Sequence, residues 1–420
     1  MRSASARLIA LLLALTLVAA ACGDSDDTDA TDAAEGEVAA EGEAPADTEA
    51  PAATEAPEGE VAAEGEAPAD TEGSADTEAP AATDLSAVCP SPIVVQTDWF
   101  PSPEHAYLYR LVGEAGELDA EAGAYRGPLG DTGVDLEIRA GGPYLGFQPT
   151  NSILYQDDGI HLGYVTLDEG VQSAADFPTV AIVAPLEINP QILMWDPNQY
   201  SFETFADIGA TDVTVLYFDG GVYMDYLVAS GQIGEDQIDG SYDGSPARFV
   251  ATEGGVVQQG FATSEPWNYE NLYEEWGQPV DFLLVHDSGY EVYSQPLAGR
   301  PEVVEEFADC WAEFVPLVQE SVIGHALDPD ATNELILDIV DELDAGWVLA
   351  PGQMDYSVES ALELGVYANG PDDTVGNFDP DRVATFVELL APLLDSAPAD
   401  LDPTSLYTND FIDPSIGFSE

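Results

Sequence analysis

The sequence predicts an α/β fold in two lobes, and three observations lead to that prediction. Between residues 90 and 300, short apolar runs of strand length alternate with helical stretches, a pattern typical of α/β proteins with mostly parallel sheets. After about residue 300 the pattern becomes helical. The folded part would be roughly 330 residues long, which is large for one sheet. Two lobes with a cleft between them are therefore expected.

The predicted elements follow in chain order. Strands are predicted at Ile93–Thr97, Val134–Arg139, Ile160–Val165, Thr179–Ala184, Val213–Phe218, Arg248–Ala251, near Phe261 and at Phe282–His286. Helices are predicted at Pro103–Leu118, Gly221–Ser230, Pro301–Ile323, Asp328–Leu343, Ser357–Leu364 and Asp379–Leu394. The last helix has a capping Asp379 followed by Pro380 at its first position. The first lobe is expected at about 90–184 and 285–420, and the second at about 185–284. The chain would cross between them at Pro185–Pro190 and Gln278–Phe282.

The N-terminus has the features of an export signal. Arg2 and Arg7 precede the apolar stretch Leu8–Ala20, which is too short to span a bilayer comfortably. Small residues then lead into Cys22, an arrangement that resembles a bacterial lipobox. Residues 1–22 are therefore predicted to be a lipoprotein signal peptide with an acylated Cys22. Ordinary secretion with cleavage near Ala21 is the alternative.

Residues 23–84 have the composition of a linker. They consist mainly of Asp, Glu, Ala, Pro, Thr and Gly, and the segment EGEVAAEGEAPADTE occurs at 35–49 and again at 58–72. Such a sequence has too few apolar side chains to offset chain entropy by burial. A disordered acidic linker is expected, with the folded domain at 85–420.

Charge and composition exclude several functions. The chain has 81 Asp and Glu, 8 Arg and no Lys, for a net charge of −73, which argues against nucleic-acid binding. Without Lys there is no Schiff-base cofactor and no phosphate-binding or kinase lysine. The four His form no metal-binding pattern, so neither a metal nor a cofactor is expected. No enzymatic activity is expected either, although a paired-carboxylate hydrolase stays open.

The two Cys of the folded region suggest a disulfide. Cys89 lies at its start and Cys310 in a helical stretch, and exported proteins favour paired thiols. Two buried free thiols are the alternative.

Two motifs resemble a known family. In VVQTDWFPSPEHAYLYRLVGEAGELDAEAG a strand ends in a Trp-x-Pro turn, and a helix follows that carries His105 and Tyr107. The phrase QGFATSEPWNYE provides a Thr-x-Glu-Pro-aromatic element. Both are similar to motifs of ABC-importer solute-binding proteins, in the branch that binds thiamine pyrimidine precursors, sulfonates or nitrate. The resemblance covers about 90–345, with an insertion at Ala124–Thr132.

This resemblance implies a two-lobed type II periplasmic-binding-protein fold that closes around a small solute. It also implies an ABC permease and an ATPase as partners. With the lipid anchor, it predicts an extracytoplasmic monomer attached to the cell membrane. A solute-sensing surface lipoprotein with no transport role is the alternative.

The candidate ligand-binding residues are polar and aromatic groups near strand ends and the lobe crossing: Trp99, His105, Tyr107, Asn189, Tyr223, Glu265, Trp267 and Tyr269. No Arg lies in these motifs, and Glu265 would repel an anion while accepting two hydrogen bonds from an aminopyrimidine. The favoured solute is a thiamine pyrimidine precursor or a similar aromatic heterocycle. Sulfonate, taurine or nitrate is the alternative, for which backbone N–H groups at Gly220-Gly221 could serve. His161, His286 and His325 are expected to be structural.

Overall fold

The computed structural model describes residues 84–419 of the 420-residue chain. The expected signal peptide, the acylated Cys22 and the linker up to residue 83 lie outside the described residues. None of the helices within 84–419 has the length and hydropathy needed to cross a membrane.

Twelve strands are present in the described residues. Their bounds are β1 Ile93–Gln96, β2 Glu117–Asp119, β3 Ala124–Pro128, β4 Asp135–Arg139, β5 Leu162–Tyr164, β6 Val180–Val183, β7 Gln191–Trp195, β8 Thr214–Leu216, β9 Ile238–Asp239, β10 Val256–Phe261, β11 Asp281–Leu284 and β12 Leu297–Gly299. They form a seven-stranded sheet in the order β2-β3-β4-β1-β5-β12-β6 and a five-stranded sheet in the order β11-β7-β10-β8-β9.

Twelve α-helical segments lie among and after these strands. Their bounds are α1 Ala106–Val112, α2 Thr150–Leu154, α3 Leu167–Ser173, α4 Phe205–Gly209, α5 Val222–Ala229, α6 Ala247–Ala251, α7 Glu265–Trp267, α8 Pro301–Glu306, α9 Ala308–Leu327, α10 Asp330–Leu343, α11 Pro351–Glu363 and α12 Pro380–Leu390. Asp379 caps α12 as predicted, because its side chain accepts the N–H groups of Asp381 and Arg382.

The chain passes between the sheets twice. The first connection, residues 184–190, joins β6 to β7, and the second, residues 285–296, joins β11 to β12. One apolar cluster includes Val94 and Ala181 of the first sheet together with Leu193 and Val215 of the second. The two sheets therefore share a core beside these connections.

The prediction of mostly parallel sheets is wrong. Only four of the ten strand pairs are parallel. In the first sheet, β2 and β3 form an antiparallel hairpin on β4. In addition, β12 returns from the second sheet and enters between β5 and β6 in the antiparallel direction. Neither feature leaves a periodic signal, because β2 and β12 have three residues each.

Several predicted elements are also corrected. Arg248–Ala251 is helix α6, with Phe249 packed on Tyr269 at a ring-centroid distance of 5.1 Å; so short an apolar run does not distinguish a strand from a helix. The strand that was predicted near Phe261 is β10, whereas β7 was not predicted. The helix predicted at Pro103–Leu118 ends at Val112, because Gly113 has φ +61° and stops it.

A disulfide joins Cys89 to Cys310 of α9, with an S–S distance of 2.05 Å. The two residues are 221 positions apart, so the bridge restricts a long loop of the unfolded chain. We expect the double variant Cys89→Ser/Cys310→Ser to lose about 2–4 kcal/mol of unfolding free energy. Urea titrations with and without reductant measure this loss. An unchanged midpoint in reductant would contradict the expected contribution.

Candidate functional site

The ends of strands from the two sheets face each other. Trp99 and Glu104 follow β1 of the first sheet, while Phe218 and Thr263 follow β8 and β10 of the second. The rings of Trp99 and Phe218 lie 6.3 Å apart between centroids, and the Thr263 hydroxyl donates to the Glu104 carboxylate. We call this region the cleft. Ligands of α/β proteins bind beyond the carboxyl ends of such strands.

Hydrogen bonds fix the turn that follows β1. The Thr97 hydroxyl donates to the Trp99 carbonyl at 2.7 Å, and the N–H of Gly142 donates to the Asp98 carbonyl at 2.9 Å. A Cβ at Gly141 would lie 2.4 Å from the Asp98 carbonyl carbon, so only Gly permits this approach. The turn therefore presents Asp98 and Trp99 in set directions.

A buried polar cluster lies behind this turn. His105 is fully buried, and its Nε2 lies 3.1 Å from Asp98 Oδ1. Gln295, from the second connection, donates to Asp98 Oδ2 at 3.3 Å. The His105 Nδ1 has no hydrogen-bond partner among the described residues. Since buried polar groups are normally paired, this cluster has bonding capacity that a solute or water can use.

Aromatic rings surround Trp99 on several sides. Its ring centroid lies 5.9 Å from that of Phe147 and 6.0 Å from that of Trp347. Across the cleft, Phe218 packs on Tyr242 at 5.0 Å. The Trp347 indole donates to the Pro101 carbonyl at 3.1 Å, which ties the α10–α11 loop to the turn after β1. These rings form an apolar surface suited to a flat solute.

Carboxyl groups lie at the same strand ends. Glu265, at the start of α7, accepts the N–H of Phe261 at 2.6 Å. Burial raises the pKa of Glu265 to about 7, and the nearby charge of Glu104 also raises it, against the effect of the backbone hydrogen bonds. At the start of α3, burial followed by the charges of Asp168 and Asp98 raises the pKa of Glu169 to about 8. Both groups thus titrate near neutral pH.

The arginines of the described residues contact groups outside the cleft. Within residues 84–419 the six Arg form ion pairs or hydrogen bonds with groups other than the cleft residues named above: Arg110 with the Asp328 carbonyl, Arg126 with Asp135, Arg139 with Glu137, Arg248 with Asp239, Arg300 with Asp158, and Arg382 with Glu187. The described cleft is therefore aromatic and acidic. No group of three or more His, Cys, Asp or Glu among the described residues is arranged to hold a metal ion.

The structure brings some of the predicted ligand residues to the cleft. Trp99 and Glu265 lie at the facing strand ends, and His105 lies just behind them with Tyr107. Tyr107 is 1% exposed. Trp267 packs over α11, where a Cβ at Gly352 would lie 2.6 Å from its ring.

Other predicted residues lie inside the second lobe or in a turn. The Tyr223 hydroxyl donates to Gln259 Oε1 at 2.9 Å, and Tyr269 accepts from Gln258 at 2.6 Å. The Asn189 side chain accepts the N–H of Gln191 at 3.0 Å, which closes the turn before β7. All three are at least nine-tenths buried. Their roles as ligand contacts stay predictions.

Sequence reasoning did not select several residues of the cleft. Asp98 and Glu104 belong to the motif after β1, so that motif contained the signal for them. Phe218 ends a predicted strand, a position from which ligand contacts come. Thr263 precedes the predicted Glu265 by two positions. Gln295 has no local signal, because only the return of the second connection brings it to Asp98.

Comparisons with known proteins support the fold. No protein-family model and no curated protein matches the chain. A solved structure from Bordetella bronchiseptica RB50 is 13% identical, with a TM-score of 0.50 over 77% of this chain and 96% of that one. The periplasmic aliphatic sulphonate binding protein SsuA of Escherichia coli is 14% identical, with a TM-score of 0.44 over 72% and 87%. A Candida albicans protein described as having the generic periplasmic binding protein fold is 11% identical, with a TM-score of 0.45 over 77% and 98%.

At these identities the likeness concerns the fold alone. Together with the two sheets and two connections described above, the likeness to the Bordetella structure confirms the predicted α/β fold in two lobes.

Proposed function

We propose that the chain is the extracytoplasmic solute-binding subunit of an ABC importer, anchored to the membrane through an acylated Cys22. In this proposal it captures a neutral or cationic aromatic heterocycle, such as a thiamine pyrimidine precursor, and delivers it to the permease without chemical change. The observation that carries the proposal is the cleft, which combines aromatic rings and carboxyls with no guanidinium among its described residues.

The carboxyls favour a nitrogen heterocycle over an anion. Asp98, Glu104 and Glu265 would each repel a sulfonate, and no Arg among the described cleft residues would offset that repulsion. An aminopyrimidine instead presents a ring nitrogen and an exocyclic amine, which pair with a carboxyl through two hydrogen bonds. Because the pKa of Glu265 is about 7, both protonation states of this carboxyl are available at neutral pH. Trp99 and Phe218 contact each other at a centroid distance of 6.3 Å in an edge-to-face arrangement, so the two rings would have to separate before each contacts the flat ring from its own lobe.

Calorimetry and thermal unfolding of the full chain test the proposal. The panel contains thiamine pyrimidines, thiamine, riboflavin, taurine, alkanesulfonates and nitrate. A pyrimidine or flavin present at a hundred times its Kd should stabilise the protein by about 2.7 kcal/mol. Glu265→Gln should weaken that binding by about 10- to 100-fold, because hydrogen bonds to a charged group contribute about 1.5–3 kcal/mol.

Glu270→Gln is the matched control, since Glu270 is exposed and lies five residues along the same segment. The Glu270→Gln variant should bind the pyrimidine or flavin with the same affinity as the unmodified protein. Binding of sulfonate or nitrate with none of pyrimidines would contradict the proposed solute. A permease and an ATPase encoded beside this chain would support import over solute sensing.

A further inference from the structure

One arginine contacts both connections between the lobes. The side chain of Arg382, on α12, is 9% exposed. Its Nη1 donates to the carbonyl and to the carboxylate of Glu187, each at 2.9 Å. Its Nε and Nη2 donate to the carbonyls of Glu291 and Val292 at 2.8 and 3.1 Å. Glu187 belongs to the first connection, and Glu291 and Val292 belong to the second.

Further contacts hold this guanidinium in place. Its central carbon lies 3.7 Å from the centroid of the Tyr293 ring, a cation–π distance. The Tyr293 hydroxyl accepts the N–H of Asp379, the capping residue of α12. The helix, the guanidinium and the second connection are therefore linked at two points. The planar fork of Arg can satisfy several acceptors at once, which a Lys ammonium does less well.

The contacts have a geometric consequence. When one lobe rotates against the other, the backbone of both connections must change conformation. A group bonded to both connections resists any movement of one relative to the other. The structure assigns to Arg382 the role of a positioning residue, which couples the two connections and sets how far the lobes open. This inference rests on the proposed capture of a solute between the lobes.

Distances between the lobes in the absence of solute test this role. Spin labels on Cys residues introduced at the exposed positions Asp338 of α10 and Asp225 of α5 report one distance across the lobes. Cys22 takes no label because it is acylated in the proposed mature protein, and Cys89 and Cys310 take none because they are joined. We expect a narrow distribution for the otherwise unmodified protein. In Arg382→Gln it should be broader and extend to longer distances, and amide exchange in 184–190 and 285–296 should be about tenfold faster.

Arg300→Gln is the matched control. The Arg300 side chain is 11% exposed and pairs with Asp158 within the first lobe, so its loss should leave the distance distribution unchanged. Arg382→Lys keeps the positive charge without the planar guanidinium and should also broaden the distribution of label distances. If Arg382→Gln does not fold, Glu187→Gln removes the negative charge opposite the guanidinium and keeps the arginine.

Distributions equal to that of the unmodified protein in both Arg382→Gln and Glu187→Gln would overturn the inference, and an unchanged Arg382→Lys would overturn the role of the fork. A failed solute screen would leave these results intact, because the labelled samples contain no solute. Failure here would likewise leave the choice of solute untouched.

Discussion

Raising the pH from 5 to 8 is expected to remove on the order of 6 kcal/mol that the protonated carboxyls of Glu265 and Glu169 contribute to the free energy of unfolding. Burial raises the pKa of Glu265 to about 7 and that of Glu169 to about 8, whereas both titrate near 4.5 when unfolded. Between those values the folded protein holds protons that the unfolded chain has released. Stability therefore falls as the pH rises through this window.

Each group contributes about 3 kcal/mol to this loss, since one pKa unit corresponds to about 1.4 kcal/mol. Urea titrations at pH 5, 6, 7 and 8 in high salt measure it, because salt screens the general repulsion of the acidic surface. Glu169→Gln should reduce the change in the free energy of unfolding between pH 5 and pH 8. Glu121→Gln, at an exposed position of the first lobe, should not. Stability that rises towards pH 8 would contradict the expected direction.

Trp99→Ala is expected to weaken solute binding by about 100-fold or more. The substitution removes one stacking surface for the solute. It also removes ring contacts with Phe147, Phe218 and Trp347, and an aromatic pair contributes about 0.5–1.5 kcal/mol beyond its buried area. Since Phe218 lies on the other lobe, the loss affects the closed arrangement most directly.

Calorimetry with the solute identified in the screen measures this effect. Trp99→Phe should restore most of the affinity. Phe177→Ala is the control, because it deletes a partly exposed ring that packs on Tyr155 away from the cleft. Equal affinities for Trp99→Ala and Phe177→Ala would show that the aromatic surface does not bind the solute.

The two-lobed fold could be predicted because its signals are local. Alternating strand and helix patterns are visible in short windows between residues 90 and 300. The capping of α12 by Asp379 is equally local, and the structure contains it. The antiparallel return of β12 could not be predicted, because its three residues acquire their direction from the second lobe. The same applies to β7, whose four apolar residues follow Gln191 without a periodicity of their own.

The candidate site likewise contains residues that the sequence indicated and residues that it did not. Trp99 and His105 belong to one motif after β1, so a single stretch of sequence indicated them. Gln295 and Phe218 reach the cleft only through tertiary contacts. Tyr269 is, like Trp99, an aromatic residue in a motif after a strand, yet it lies in the core. There its hydroxyl accepts from Gln258 and its ring packs on Phe249. Side-chain direction on a short helix depends on packing that the sequence does not display.

The position of the disulfide has a mechanical consequence. Leu85 donates its N–H to the Thr132 carbonyl, and Cys89 is joined covalently to α9. Both residues precede β1 in the chain. A pulling force applied to the chain ahead of residue 84 would therefore pass into a 20-residue helix before it reaches the strand that supports Asp98 and Trp99. A domain held on a tether in a moving medium would bear that load without distorting its cleft.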